Sequence, residues 1–223
     1  MDNRDDVTKE WFNPDTVTVQ VAPELEGWSS KESIVRLSGA PKNSVVKVSY
    51  VENAIQLRVQ NPVLLAEDMV RLVFQAPEGY RFLVKNAAFV LAPELRKLGI
   101  GSRSFAIEVA EATNLGIFSK ITTSAIGSPE SLNPDDPANQ YNGVYSWARL
   151  GFDAEIPPDV RTHCTGDLLG YTRVNQLMAD ERGRNIWAEY ASSVDMEFLL
   201  AEDSTSQERL RSYLLEKDIR VVL

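Results

Sequence analysis

Between residues 45 and 125 the hydrophobic period changes twice, and this change limits the folds open to the chain more than any other feature. Val46, Val48 and Tyr50 alternate with Val45, Lys47 and Ser49; after Glu52, Asn53 and Ala54 the alternation resumes with Ile55, Leu57 and Val59 against Gln56, Arg58 and Gln60. Two period-two runs so closely joined predict a β-hairpin. A third run sets Val70, Leu72 and Phe74 against Arg71 and Gln75. The stretch from Phe82 to Ala92 ends in consecutive apolar residues, Ala87 to Ala92, as in a central strand covered on both faces. From Ser102 to Asn114 the period becomes helical, with Phe105, Ala106, Val109, Ala110 and Ala112 on one face, Glu108 and Glu111 on the other, and Gly116 as a stop. Ile117 to Ala125 returns to β-branched residues. Strand, helix and strand in this order imply a parallel, right-handed crossover and an α+β or α/β core.

The flanks are less regular. Residues 1 to 15 keep no period and read as a flexible N-terminal arm, whereas Val17, Val19 and Val21 alternate as a strand. Gly127 to Gln140, rich in Pro, Ser, Asp and Asn, reads as a long loop, and beyond it the chain turns mainly helical. Ser204 with Gln207, and Thr205 with Glu208, each fit a capping box. The expected division is an arm over 1–15, a core domain over 16–156 and a helical extension over 157–223. With 223 residues, 43% of them hydrophobic, the chain can bury a substantial core. Its net charge of -9 argues against broad binding to nucleic acid. Cys164 is the only cysteine, so neither an internal disulfide nor a cysteine-ligated metal cluster is expected. No run of about 18 apolar residues suggests a membrane span, and the expectation is a soluble cytoplasmic protein.

The chemically suggestive stretch is Leu95 to Phe105, LRKLGIGSRSF. A glycine turn between a buried strand and a helix admits two readings. It serves geometry alone, or it lets the free amides of the helix start approach a phosphate, helped by Arg96, Lys97 and Arg103. The dinucleotide fingerprint fails because Ser104 stands at its third glycine, and the Gly-Lys-Ser/Thr of a P-loop is absent.

The longer run FVLAPELRKLGIGSRSFAIEVAEATNLGI resembles the acyl-CoA-binding motif of the GNAT superfamily of N-acyltransferases, with Arg96, Gly99 and Gly101 in register. YNGVYSWARLGFDAE is similar to the later signature of that superfamily, through Asn142, Gly151 and Phe152. The resemblance covers Tyr80 to Asp153 and extends back to Val45. It implies a GNAT-like, mainly antiparallel sheet with a parallel strand-helix-strand unit. It further implies that the backbone of Leu91 and Ala92 pairs with pantetheine, and that Arg96, Lys97, Leu98, Gly99, Ile100, Gly101 and Ser102 hold the diphosphate through their amides. Asn142 joins the cofactor-binding set. No metal is implied.

The reaction implied is attack of a primary amine, on a small molecule or a protein, on the thioester of acetyl-CoA or another acyl-CoA within a ternary complex. Where many members of the superfamily carry an acidic tyrosine, this chain has Trp147; Tyr145 is the nearest substitute, although two residues turn a helix by about 200°. Glu52, Glu67, Asp68 and Glu78 are the carboxylates from which a base would come. His163 beside Cys164 invites a nucleophile story, but sequence neighbours seldom point together. The alternative to an enzyme is a catalytically inactive GNAT-like module that binds acyl-CoA or a protein partner. The C-terminal extension would cover the sheet, shape the acceptor site or form a homodimer.

Overall fold

A computed structural model describes residues 4–77, 79–132 and 142–221. Its strands are β1 (Thr18–Val21), β2 (Val45–Val51), β3 (Ala54–Gln60), β4 (Met69–Gln75), β5 (Phe82–Ala88), β6 (Phe118–Ala125) and β7 (Val194–Leu199). Its helices are α1 (Asp6–Trp11), α2 (Lys31–Ser38), α3 (Ile100–Leu115), α4 (Gly143–Arg149), α5 (Pro158–Arg161), α6 (Val174–Ala179), α7 (Glu181–Tyr190) and α8 (Thr205–Glu216). The fold is mixed α+β, and its strands follow the order β1-β2-β3-β4-β5-β6-β7. Two compact units divide the chain, one comprising Met1–Ile121 with Leu214–Leu223 and the other Thr122–Tyr213, so the division falls inside β6 and inside α8.

In the first unit β1 lies parallel to β2, and β2 through β5 form an antiparallel meander. The β2–β3 hairpin pairs Val46 with Val59 and Val48 with Leu57, and all four side chains are buried, as the alternation predicts. Phe82, which opens β5, donates its N–H to the carbonyl of Ile117 and accepts from the Ser119 hydroxyl. β5 and β6 therefore start side by side and run in the same direction, with α3 as the crossover. Gly116 ends α3 in a left-handed conformation.

Three features depart from the sequence reading. The inward face of β4 carries Met69, Arg71 and Val73, the reverse of the face expected, because Arg71 is buried against a carboxylate. That carboxylate is Glu108, which together with Glu111 lies on a buried face of α3 rather than a solvated one. Residues 6–11, read as part of a loose arm, form α1: Asp5 caps it by accepting the Thr8 amide at 2.8 Å.

In the second unit Phe152, Trp187, Phe198, Val160, Val174 and Leu177 form the core. Trp187 donates its indole N–H to the carbonyl of Val144 at 3.1 Å. Residues 157–223, read as mainly helical, also contain β7, whose Met196 and Phe198 face inward. Ser204 caps α8 by accepting the Gln207 amide, while its own amide donates to the Ala201 carbonyl, so of the first capping-box reading the N-cap half describes the start of α8. Of the expected loop, Pro129–Leu132 forms a 3-10 turn and residues 133–140 lie outside the described residues.

Candidate functional site

The end of β5 is built by a bulge. Val70 pairs with Ala88 and Arg71 with Asn86, leaving Ala87 as the extra residue, exposed on the strand. Past the bulge the chain is, among the described residues, paired on one side only: the Val90 carbonyl accepts from the Ala66 amide at 2.9 Å, and the Ala92 amide donates to the Leu64 carbonyl at 3.0 Å. Leu91 faces Leu65 across this bridge. Antiparallel alternation then turns the N–H and C=O of Leu91 to the opposite side. The polar groups of Ala92 are both engaged, since its carbonyl also accepts from the Leu95 amide. Of the expected Leu91–Ala92 pair, what is left for a ligand is therefore at Leu91, whose carbonyl takes a hydrogen bond from the Arg96 Nε at 3.3 Å.

Pro93–Leu95 forms a 3-10 turn that engages the Arg96 amide with the Pro93 carbonyl. Next comes a run of orphans. The amides of Lys97, Leu98, Gly99, Ile100 and Gly101 have no acceptor among the described residues, and the first helical bond of α3 is Arg103 N–H to Gly99 C=O. Gly99 is the N-cap, left-handed at φ 72°, and provides no side-chain cap. α3 is 16 residues long, so these donors sit at the positive end of a full macrodipole. Lys97 also has a positive φ, 67°, and is exposed on the loop.

Arg103 does not join the cations facing outward. It is 6% exposed and turned back beneath the loop, with Nη1 donating to the carbonyls of Leu98 at 3.3 Å and Gly99 at 3.2 Å. Its Nη2 meets Asp5 at 3.0 Å, while its Nε reaches both Asp5 and the Thr8 hydroxyl. Burial pushes the Asp5 carboxyl up, but hydrogen bonds from the Arg220 amide, the Thr8 amide, Arg103 and the Thr8 hydroxyl together hold it at about 2. Neither role was read from the sequence. Asp5 followed by Thr8 is an N-cap signal, and Arg103 stands one helical turn after Gly99, so a signal existed for each.

Behind the bulge lies a buried polar cluster. Arg71 Nε and Asn86 Nδ2 both meet Glu108 Oε2 at 3.1 Å, and Arg71 and Glu108 are each 0% exposed. Arg71 Nη1 reaches the carbonyl of Ala88, the residue after the bulge, at 3.5 Å. Burial pushes the Glu108 carboxyl up to about 7, against the pull of Arg71 and Asn86. Among the described residues, Arg71 Nη2 and Glu108 Oε1 have no hydrogen-bond partner.

The remaining expected residues belong to the second unit. Asn142 is exposed at the start of α4 and accepts the Ser146 hydroxyl at 3.0 Å. Tyr145 is half-buried on α4, and Trp147 packs edge-on against Phe152 at 5.0 Å. The Gly-Phe doublet is a packing device: Gly151 has φ 98°, and a Cβ there would collide with the Ser206 carbonyl. Cys164 is buried, its thiol pushed up by burial, while His163 points outward and stacks on Tyr190 at 3.5 Å, so the two do not form a nucleophile and base.

Among the candidate bases, Asp68 accepts from Gln60 at 2.9 Å and pairs with Arg58, Glu52 is exposed at the β2–β3 turn, Glu67 is exposed, and Glu78 lies outside the described residues. Among the described residues no group of His, Cys, Asp and Glu is placed to hold a metal, and no helix is long and apolar enough to cross a membrane. No family model, curated protein or solved structure matches the chain.

Proposed function

We propose that the chain is an acyl-CoA-dependent N-acyltransferase of GNAT type, with acetyl-CoA or another acyl-CoA as co-substrate and a primary amine as acceptor. One observation carries the reading: five consecutive orphan amides, Lys97 to Gly101, lead into a long helix directly after a strand end that has turned the polar groups of Leu91 to its unpaired side. A diphosphate satisfies such donors without charged side chains. An extended pantetheine carrying amides would add to the Leu91 edge as a short strand.

In this reading Leu91, Lys97, Leu98, Gly99, Ile100, Gly101 and Ser102 bind the cofactor. Arg96 contributes its guanidinium rather than its amide. Calorimetric titration with CoA tests the binding step, and release of free thiol from acetyl-CoA over a panel of amines tests turnover. Absence of CoA binding would sink the assignment. Trp147 favours a second reading, a module that binds acyl-CoA without using it, since an indole packed on Phe152 offers no proton to a departing thiolate. Binding without turnover across the panel selects that reading.

A further inference from the structure

The loop that carries the orphan amides is held from beneath by one side chain. A trans peptide points its C=O and N–H in opposite directions. By taking the carbonyls of Leu98 and Gly99 on one side, Arg103 turns the N–H groups of the same peptides, those of Gly99 and Ile100, to the other side. A guanidinium is suited to this task because one terminal nitrogen, Nη1, can serve both carbonyls while the donors on Nε and Nη2, held in the same rigid plane, are fixed elsewhere. Here they are fixed by Asp5 and Thr8, 98 and 95 residues away in sequence. Asp5 is in turn fixed by the far end of the chain: its amide donates to the Arg220 carbonyl at 3.0 Å, and its Oδ2 accepts the Arg220 amide at 2.7 Å. The side chain of Ile219 closes the same region, lying 3.7 Å from the point where a Cβ on Gly99 would stand.

We propose that Arg103 is the positioning residue of the diphosphate loop, and that Asp5, Thr8 and the Arg220 backbone are the frame that locks it. The inference rests on the acyl-CoA reading. It goes further in tying Asp5, Thr8 and the Arg220 backbone to the cofactor site through Arg103, without placing them against the ligand. Arg103 acts on orientation rather than charge, because Asp5 already neutralises it. Its effect is therefore confined to the ligand portion that the Gly99 and Ile100 amides receive, the diphosphate, and does not extend to the pantetheine held along Leu91.

The test titrates the full chain, as wild type, Arg103→Met, Arg103→Lys and Asp5→Asn, with CoA and separately with pantetheine, which lacks the diphosphate. Near-ultraviolet circular dichroism verifies folding. Wild type is expected to prefer CoA by at least tenfold. Arg103→Met is expected to lose most of that preference while binding pantetheine within about twofold of wild type. Arg103→Lys, which keeps the charge but not the fork, is expected to fall between. Asp5→Asn, which changes charge without changing shape, keeps the proposal testable if the Arg103 variants do not fold, and is expected to lower CoA affinity alone by three- to tenfold. Unchanged CoA preference in every folded variant overturns the positioning role and leaves the cofactor assignment standing. Equal weakening toward CoA and pantetheine also overturns it, by reducing Arg103 to a general stabilising contact. A wild type that binds neither ligand overturns the acyl-CoA reading, and the positioning role with it.

Discussion

Arg71 and Glu108 form a fully buried ion pair, and burial opposes the charge of both: it lowers the affinity of Arg71 for its proton and raises that of Glu108. Such a pair contributes little net stability compared with apolar residues of the same volume, yet removing one partner strands a charge. Arg71→Met and Glu108→Leu should therefore each cost about 3–5 kcal/mol, while the double substitution costs far less than their sum. Urea unfolding of the four proteins in the cycle measures the coupling, and additive costs would contradict this account. Asp5 behaves in the opposite way with pH. Its carboxyl is held at about 2 against an ordinary 3.8, so its contribution is complete above the unfolded value and is lost as pH falls through the folded one. Asp5→Asn should cost about 2 kcal/mol at pH 6, and the gap to wild type should close between pH 4 and pH 2. A constant gap over that range would mean that the pairing energy does not depend on the Asp5 charge.

At the scale of elements, the two glycines of the loop have different tasks despite lying one residue apart. A Cβ on Gly99 would run into the Arg103 guanidinium at a left-handed φ, whereas on Gly101 it would make ordinary 3.7 Å contacts with Leu91 and Phe89. Gly99→Ala should therefore cost about 1–3 kcal/mol and disturb the Arg103 tie. Gly101→Ala should be neutral or stabilising by up to about 1 kcal/mol through helix propensity. Thermal melts of the two variants compare them, and equal destabilisation would refute the distinction. Gly101→Glu, rather than a change at Gly99, is then the variant that places bulk beside Leu91, and it should abolish CoA binding with the fold retained.

The β2–β3 hairpin and α3 were legible from sequence because one face of each is apolar by simple period. The faces of β4 and α3 were misread where Arg71 and Glu108 stand, since a charged residue reads as solvent-facing unless its partner, 37 residues away, is known. β7 was missed because its short alternation, Met196 and Phe198, lies between two helical patterns. For the site, the glycine turn and helix start were readable. The engagement of Ala92 with Leu64 and the inward turn of Arg103 were not, because both depend on chain segments distant in sequence.

At the scale of the whole chain, the first unit is assembled from residues 4–121 together with residues 214–221, so its integrity depends on the return of the C-terminal segment. Three contributions come from that return. Ile219 is buried, and the amide and carbonyl of Arg220 bond to Asp5. Burying an isoleucine side chain contributes about 1.5–3 kcal/mol, and each backbone hydrogen bond about 1 kcal/mol. Deleting residues 217–223 should therefore destabilise the first unit by about 3–5 kcal/mol. Arg220→Ala, which keeps both backbone bonds and loses only an exposed side chain paired with Asp218, should cost less than about 0.5 kcal/mol. Because the deletion removes a partner of Asp5, its cost and that of Asp5→Asn should sum to more than the cost of the two combined. Urea unfolding of the deletion, Asp5→Asn and their combination decides this: strict additivity would show that the two ends stabilise the unit independently, and that Asp5 does not couple the C-terminal segment to the loop through Arg103.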